Sequence, residues 1–468
     1  MAEAFTSLAD AICGYPLFFL LIGGGLFLFF YNGMIPLRRL ADAVAVLRTR
    51  PGSDGGKGQI SSVEALASVV AATVGMGNIA GVAIALVMGG PGAIFWMWVS
   101  AIVGMSTKFH EGVLTIKYRD RAADGSPRGG TMHIIEHGLG RQWRWLAVTF
   151  AVAGMMGTLC IMNANQLTEA LTATFSTPEG VAASRALSTV SMITGLDNAL
   201  SLRLICGMAI ATVVAVVVIG GIRRIASVAS YLVPLMVTLY FAMVVYILVT
   251  NPGRIPGAIA SIFHGAFNLR AGIGALAGIA IIGARRAALV NDAGVGTATI
   301  MHGSSANDTP VREGLIAMLG PSIDSGLVCT LTALALLVCG DISSPDIKGL
   351  EIALNAFGSA IPMGKYLLMM VVTFFAMSSM FSYSFYGTRC AAYLFGEDKA
   401  KYYTWFFILT LVVFAVIPLG VAVSLCDLFY AFMAFPTMFT LLKLRGVVRD
   451  EVKAYFSREV EEVTDFVE

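Results

Sequence analysis

Charge is what this sequence has least of. Of its 468 residues, 13% are Asp, Glu, Lys or Arg and 57% are hydrophobic. Soluble domains carry about 25% charged residues, so the composition excludes a soluble fold and describes a polytopic membrane protein. The net charge of +2 gives no sign of a nucleic-acid partner. The seven cysteines are scattered through apolar stretches without metal-ligand spacing, which points to small core residues and no disulfide framework. No Lys or Arg precedes the first apolar run, whereas a cleaved leader starts with positive charge, so the first helix is expected to be retained. A deep acid–base or metal constellation is also missing. His133 and His137 flank Glu136 at helical spacing, but in a loop, and His110-Glu111 ends a span. No enzyme is expected.

Long apolar segments are present throughout. They fall near 15–34, 63–88, 92–115, 145–171, 203–221, 226–250, 258–283, 314–340, 364–389, 403–422 and 425–444, about eleven spans on a 20-residue criterion. Basic residues cluster at alternate connections: Arg38 to Lys57, Lys117 to Arg128, Arg223-Arg224, Arg285-Arg286, Arg389 to Lys401, and Lys443 with Arg445. The positive-inside rule then puts the N-terminus outside and the C-terminus in the cytoplasm. The mixed-charge stretch after Glu451 reads as a short solvated helix.

The segment Val74-Gly75-Met76-Gly77-Asn78-Ile79-Ala80-Gly81 lies in the middle of an apolar run. An interior glycine costs about 1 kcal/mol of helix stability relative to alanine. Irregular backbone at membrane depth persists only when buried in protein or lining a watery cavity. A second glycine-rich segment, with Gly272, Gly274, Gly278 and Gly283, opens the other half of the chain. The ten spans after the first divide into two sets of five, beginning at residues 62 and 258 with opposite orientation. Residues 1–61 are an extra N-terminal helix and basic linker, 62–250 and 251–446 are the repeats, and 447–468 form a cytoplasmic tail. Paired glycine-interrupted segments in inverted halves mark a transporter binding site. On that reading Gly274 joins the substrate site, while for Gly278 and Gly283 close helix packing is an equal alternative.

The run Thr73-Val-Gly-Met-Gly-Asn-Ile-Ala-Gly, followed by Gly89-Gly-Pro-Gly-Ala-Ile-Phe-Trp, resembles the sodium:alanine/glycine symporters. So do Lys117-Tyr-Arg, Gly220-Gly-Ile-Arg-Arg, Ala293-Gly-x-Gly, Pro310-Val-Arg, Ser378-Ser379, Tyr393-Leu-Phe-Gly and Asp427-Leu-Phe, in order along nearly the whole chain. This family belongs to the amino-acid/polyamine/organocation transporters. The resemblance implies an all-α, LeuT-like five-plus-five inverted repeat with one extra N-terminal helix. It also implies that the Met76 and Gly77 amides hold a substrate carboxylate, helped by the helix dipole, with Gly75 and Asn78 beside them. Sodium, a hard cation, takes oxygen ligands. The resemblance supplies Ser378 and Ser379 with the carbonyls of Ala71, Val74 and Phe375. Read without it, those serines simply bond their own helix.

The resemblance places Cys160, Asn163 and Tyr383 in the substrate pocket, where family members carry a larger residue, a glutamine and a tryptophan. These departures leave the preferred side chain open. Asn291 and Asp292 follow the Arg285-Arg286 pair and are assigned to gating or loop bracing. No buried basic residue suggests itself for an acidic substrate, and Asp324 and Glu169 are read as functional or structural carboxylates. The implied activity is sodium-coupled import of a small neutral amino acid, such as alanine or glycine, across a bacterial or archaeal inner membrane. The alternative is a proton-coupled or exchange-type carrier of the same fold, with a larger neutral substrate.

Overall fold

The computed structural model describes residues 15–48, 60–121, 125–176, 181, 184–267, 273–339 and 349–465. They form an almost wholly helical bundle. Among them, seven helices are long and apolar enough to cross a membrane, or eight when one sharply bent pair counts as a single span. The chain is therefore a multi-pass membrane protein.

Helix α1 (Tyr15–Tyr31) precedes the bent pair α2 (Ser62–Thr73) and α3 (Gly77–Gly89), whose axes differ by 55°. A capping box starts α2: Ser61 accepts from the Glu64 amide, and Glu64 accepts from the Ser61 amide at 2.7 Å. Then come α4 (Gly92–Tyr118), α5 (Arg144–Gly157), α6 (Ile161–Phe175), α7 (Asn198–Val218) and α8 (Gly221–Thr250). The expected span at 145–171 is thus interrupted, and Cys160 sits in the interruption with a left-handed φ of 53°.

The expected span at 258–283 is not one helix. It divides into α9 (Ile255–Ala266) and α10 (Ile273–Asn291), and α10 runs past Arg285-Arg286 before the chain breaks and resumes as α11 (Thr297–His302). Next follow α12 (Pro310–Cys339), α13 (Leu350–Ala360), α14 (Gly364–Phe395), α15 (Glu397–Phe414), α16 (Leu419–Lys443) and α17 (Arg445–Asp465). Within α12 a π-helical stretch, Ser322–Val328, carries Asp324. Such local widenings recur at functional sites.

At one end of the bundle the chain entering α2 is tied to the α11–α12 connection. Ile60 bridges Ser305, and the Ala306 amide donates to the Ile60 carbonyl at 2.8 Å. Glu313 accepts from Ser62 (2.7 Å) and Asn307 (3.1 Å) and contacts His302 (2.6 Å), all of them buried. Arg119 donates to the Ser305 and Asn307 carbonyls and pairs with Asp308. The tail differs from a free solvated helix over its first turns: Lys117 pairs with Glu451, and Arg39 lies 3.8 Å from the centre of the Phe456 ring.

Candidate functional site

Alpha-helical hydrogen bonding fails between α2 and α3 because the chain turns extended at Val74 (φ −71°, ψ 91°). Asn78 repairs part of the loss. Its carbonyl oxygen accepts the Gly75 amide at 2.9 Å, and its NH2 group donates to Asp324. Asn78 is fully buried and faces away from the cavity, so it braces the break and does not touch its contents. The Met76 and Gly77 amides find no acceptor among the described residues.

Those amides border a cavity of about 150 Å³. Drug-sized pockets run to about 300–1,000 Å³, so this one suits a small metabolite. Gly75, Met76 and Gly77 form one wall, Cys160 and Asn163 another, and Tyr383 with Ser379 a third. The structure thus brings together six of the eight expected substrate residues. Asn78 lies behind the wall, and Gly274 is exposed at the start of α10, away from the cavity. Of its neighbours, Gly283 serves packing, since a Cβ there would lie 2.2 Å from the Ala93 carbonyl oxygen. Gly278 has open space around it, and Gly272 lies outside the described residues.

The second helix break is at Asp292–Gly296, not among those glycines. Asp292, Gly294 and Gly296 have φ of 52°, 86° and 91°. A side chain at Gly294 would meet Met438 at 2.6 Å, and one at Gly296 would meet Thr131 at 2.4 Å. Positive φ and close approach together require glycine there. Glu111 of α4 accepts the Gly294 amide at 2.9 Å, and Thr437 of α16 donates to the Val295 carbonyl at 3.1 Å. Asp292 lines the cavity and accepts from Tyr383, whose hydroxyl in turn accepts from Tyr430 at 2.8 Å. Asp292, expected in gating or loop bracing, thus bonds Tyr383 and Thr297 at the break and also stands in the cavity wall. Arg286 lines the same cavity within electrostatic range of Asp427. The basic pair taken as a loop marker thus lies beside the site.

The expected cation ligands gather under the first break. Ser378 donates to the carbonyls of Ala71 (3.0 Å) and Phe375 (2.9 Å), and Ser379 reaches Ala72 (2.9 Å), Phe375 (3.1 Å) and Ala71 (3.2 Å). Val74 is buried nearby without contacting the serine hydroxyls, and Ala72 is an oxygen the sequence reading missed. Hydroxyl and carbonyl oxygens in this density are the donor set a hard monovalent cation takes. Among the described residues no group of three or more His, Cys, Asp or Glu could hold a metal. His133 stacks edge-on against Tyr393, and His137 bonds the Tyr118 carbonyl.

The model of the sodium:alanine symporter family matches residues 1–467. The chain belongs to this family. It is 37% identical over 445 residues to the sodium/alanine symporter AgcS of Methanococcus maripaludis, covering 93% of each chain. An uncharacterized transporter of Haemophilus influenzae is 36% identical, over 97% of this chain and 96% of its own. Among solved structures, MhsT in complex with L-phenylalanine superposes with a TM-score of 0.53 at 16% identity, covering 84% of this chain and 89% of that one. At that identity the likeness shows the fold alone. The family member has the LeuT-like fold of a five-plus-five helical transporter, and family and fold alike are those of transporters.

Proposed function

We propose that this chain is a symporter that uses inward sodium flow to import a small neutral amino acid such as alanine or glycine. The observation that carries the reading is the two-sided character of the first break. On one side Met76 and Gly77, whose amides have no acceptor among the described residues, line the cavity, and on the other Ser378 and Ser379 meet the carbonyls of Ala71, Ala72 and Phe375.

The substrate carboxylate accepts from the Met76 and Gly77 N–H groups at the positive end of α3. Asp292, held by Tyr383 across the cavity, suits the α-ammonium group. Cys160, Asn163 and Tyr383 bound the space left for the side chain. Sodium binds as cosubstrate among Ser378, Ser379, Ala71 and Phe375, with Val74 close by. Because cation and carboxylate use the same few residues of backbone, each orders what the other needs, and that mutual stabilisation is the coupling. One helix bundle of the two repeats, 62–250 and 251–446, then rocks against the other in an inner membrane, with the N-terminus outside and the C-terminus cytoplasmic.

Uptake of labelled alanine into proteoliposomes, with and without a sodium gradient, tests this. Sodium-dependent accumulation is expected, and Ser378→Ala should raise the half-saturating sodium concentration about tenfold or more, within the usual range of such coupling. Uptake indifferent to sodium overturns the reading. The buried carboxylates Asp292 and Asp324 favour a second one, in which protons drive the same fold; accumulation that follows a pH gradient in sodium-free buffer would establish it.

A further inference from the structure

One buried charge beside the breaks has no role in the binding scheme above. Lys108 lies in the middle of α4 with 1% of its surface exposed. Its ammonium makes no hydrogen bond and no ion pair among the described residues. A buried ammonium is too costly to keep without negative charge near it.

That charge is within reach. Gly104, Lys108 and Glu111 follow one another on α4 at spacings of four and three, and so share a face. On that face a Cβ at Gly104 would meet Asn291 at 2.9 Å, and Glu111 takes the Gly294 amide, so Lys108 is set toward the second break. The π-helical stretch that carries Asp324 also packs against α4. The charge of Lys108 accordingly acts on Glu111, Asp292 and Asp324. Each carboxylate holds a different piece of the site: Asp324 grips the first break through Asn78, Glu111 grips the second, and Asp292 stands in the cavity wall. One oxygen of Asp324 and one of Glu111 are buried and lack hydrogen-bond partners.

We propose that Lys108 is a tethered cation. Its ammonium supplies, from inside the chain, positive charge that the carboxylates of both breaks would otherwise draw from solution, and so lowers by one the mobile cations needed to order the site. Lys108 acts through those carboxylates and is a positioning residue. The proposal rests on the sodium-coupled reading.

The test compares wild type, Lys108→Met, Lys108→Arg and the double variant Lys108→Met/Asp324→Asn, all full-length. Sodium titrations are read twice, by alanine uptake in proteoliposomes and by the melting temperature of the purified protein. Lys108→Met should raise the half-saturating sodium about tenfold and the Hill coefficient by about one, since the lost charge must come from solution. Lys108→Arg should keep the wild-type curve, and the double variant should return toward it. A folded Lys108→Met with wild-type titrations overturns the proposal. If that variant does not fold, the double variant decides: folding with a wild-type-like sodium response supports the tethered cation, and failure equal to the single variant overturns it. A wild type indifferent to sodium in both readouts overturns the parent reading and this one together, whereas a sodium-dependent wild type with an unaffected Lys108→Met overturns this one alone.

Discussion

In the first helix break the chain turns through an ordinary extended φ at Val74, and the loosened amide of Gly75 is caught by Asn78, a side chain three residues further on. In the second, the chain turns through three left-handed residues, and what catches it comes from other helices: Glu111 of α4, Thr437 of α16 and Tyr383 of α14. The first break is also held by two helices from outside, α12 through Asp324 and α14 through Ser378 and Ser379, whereas the second is held by three, α4, α14 and α16. A break held by two helices is freed when that pair parts from it. One held by three neighbouring helices moves only when they do, which makes the second the better reporter of how the bundle is arranged.

The glycines offer the largest test of that difference. Gly296→Ala combines a left-handed backbone with collisions against Thr131 and Thr437, each effect worth about 1–3 kcal/mol. Its melting temperature and folded yield should fall steeply. Gly75→Ala meets one flexible contact, Ser379 at 3.1 Å, so the protein should fold and show its defect in sodium affinity. Equal loss of stability in both would erase the distinction.

Asn78→Ala comes next. It strands the Gly75 amide and an Asp324 oxygen, at about 1–3 kcal/mol for each buried group left unpaired. Transport should drop by more than tenfold while residues 292–296 keep their protection in hydrogen exchange. Loss of protection at both breaks would mean that they are not braced separately.

His133, which does not line the cavity, gives a control. Burial pushes the pKa of His133 down from 6.5 to about 4. The unfolded chain therefore binds this proton more readily than the native one, and stability falls as pH drops from about 6.5 toward 4, by about 3 kcal/mol in full. His133→Gln should flatten that slope in pH-dependent melting without changing the sodium titration at neutral pH.

The smallest effect is expected at Tyr383→Phe, which removes the hydrogen bonds to Asp292 and from Tyr430 and keeps the ring. The half-saturating alanine concentration should rise about tenfold, in line with two bonds worth about 0.5–1.5 kcal/mol each at the wall of a cavity. A rise in half-saturating sodium instead would place Asp292 in a cation site.

The first break was legible because glycine and asparagine are conspicuous within an apolar run, whereas Ser378-Ser379 were placed by resemblance alone, since serines in a membrane helix ordinarily bond their own helix. Cys160, Asn163 and Tyr383 were placed by resemblance, and all three line the cavity. The second break was written just as openly, in Asn291-Asp-Ala-Gly-Val-Gly, but it follows Arg285-Arg286. Basic pairs normally end a span, so the pattern read as a loop. An arginine stays inside a bundle when carboxylates such as Asp427 are at hand, and one sequence cannot display that pairing in advance. Lys108 was missed for a related reason: Asp292 and Asp324, on which its charge acts, belong to the second break and to α12, far away along the chain.

The bridge between Ile60 and the segment Ser305-Ala306 runs from main chain to main chain. Side-chain replacement leaves such a fastening intact, and position 306 is already alanine, so an alanine scan does not test the bond itself. Only removal of the amide itself, as in Ala306→Pro, unhooks it. The most economical closure at this end of the molecule is therefore one to which ordinary mutagenesis is blind.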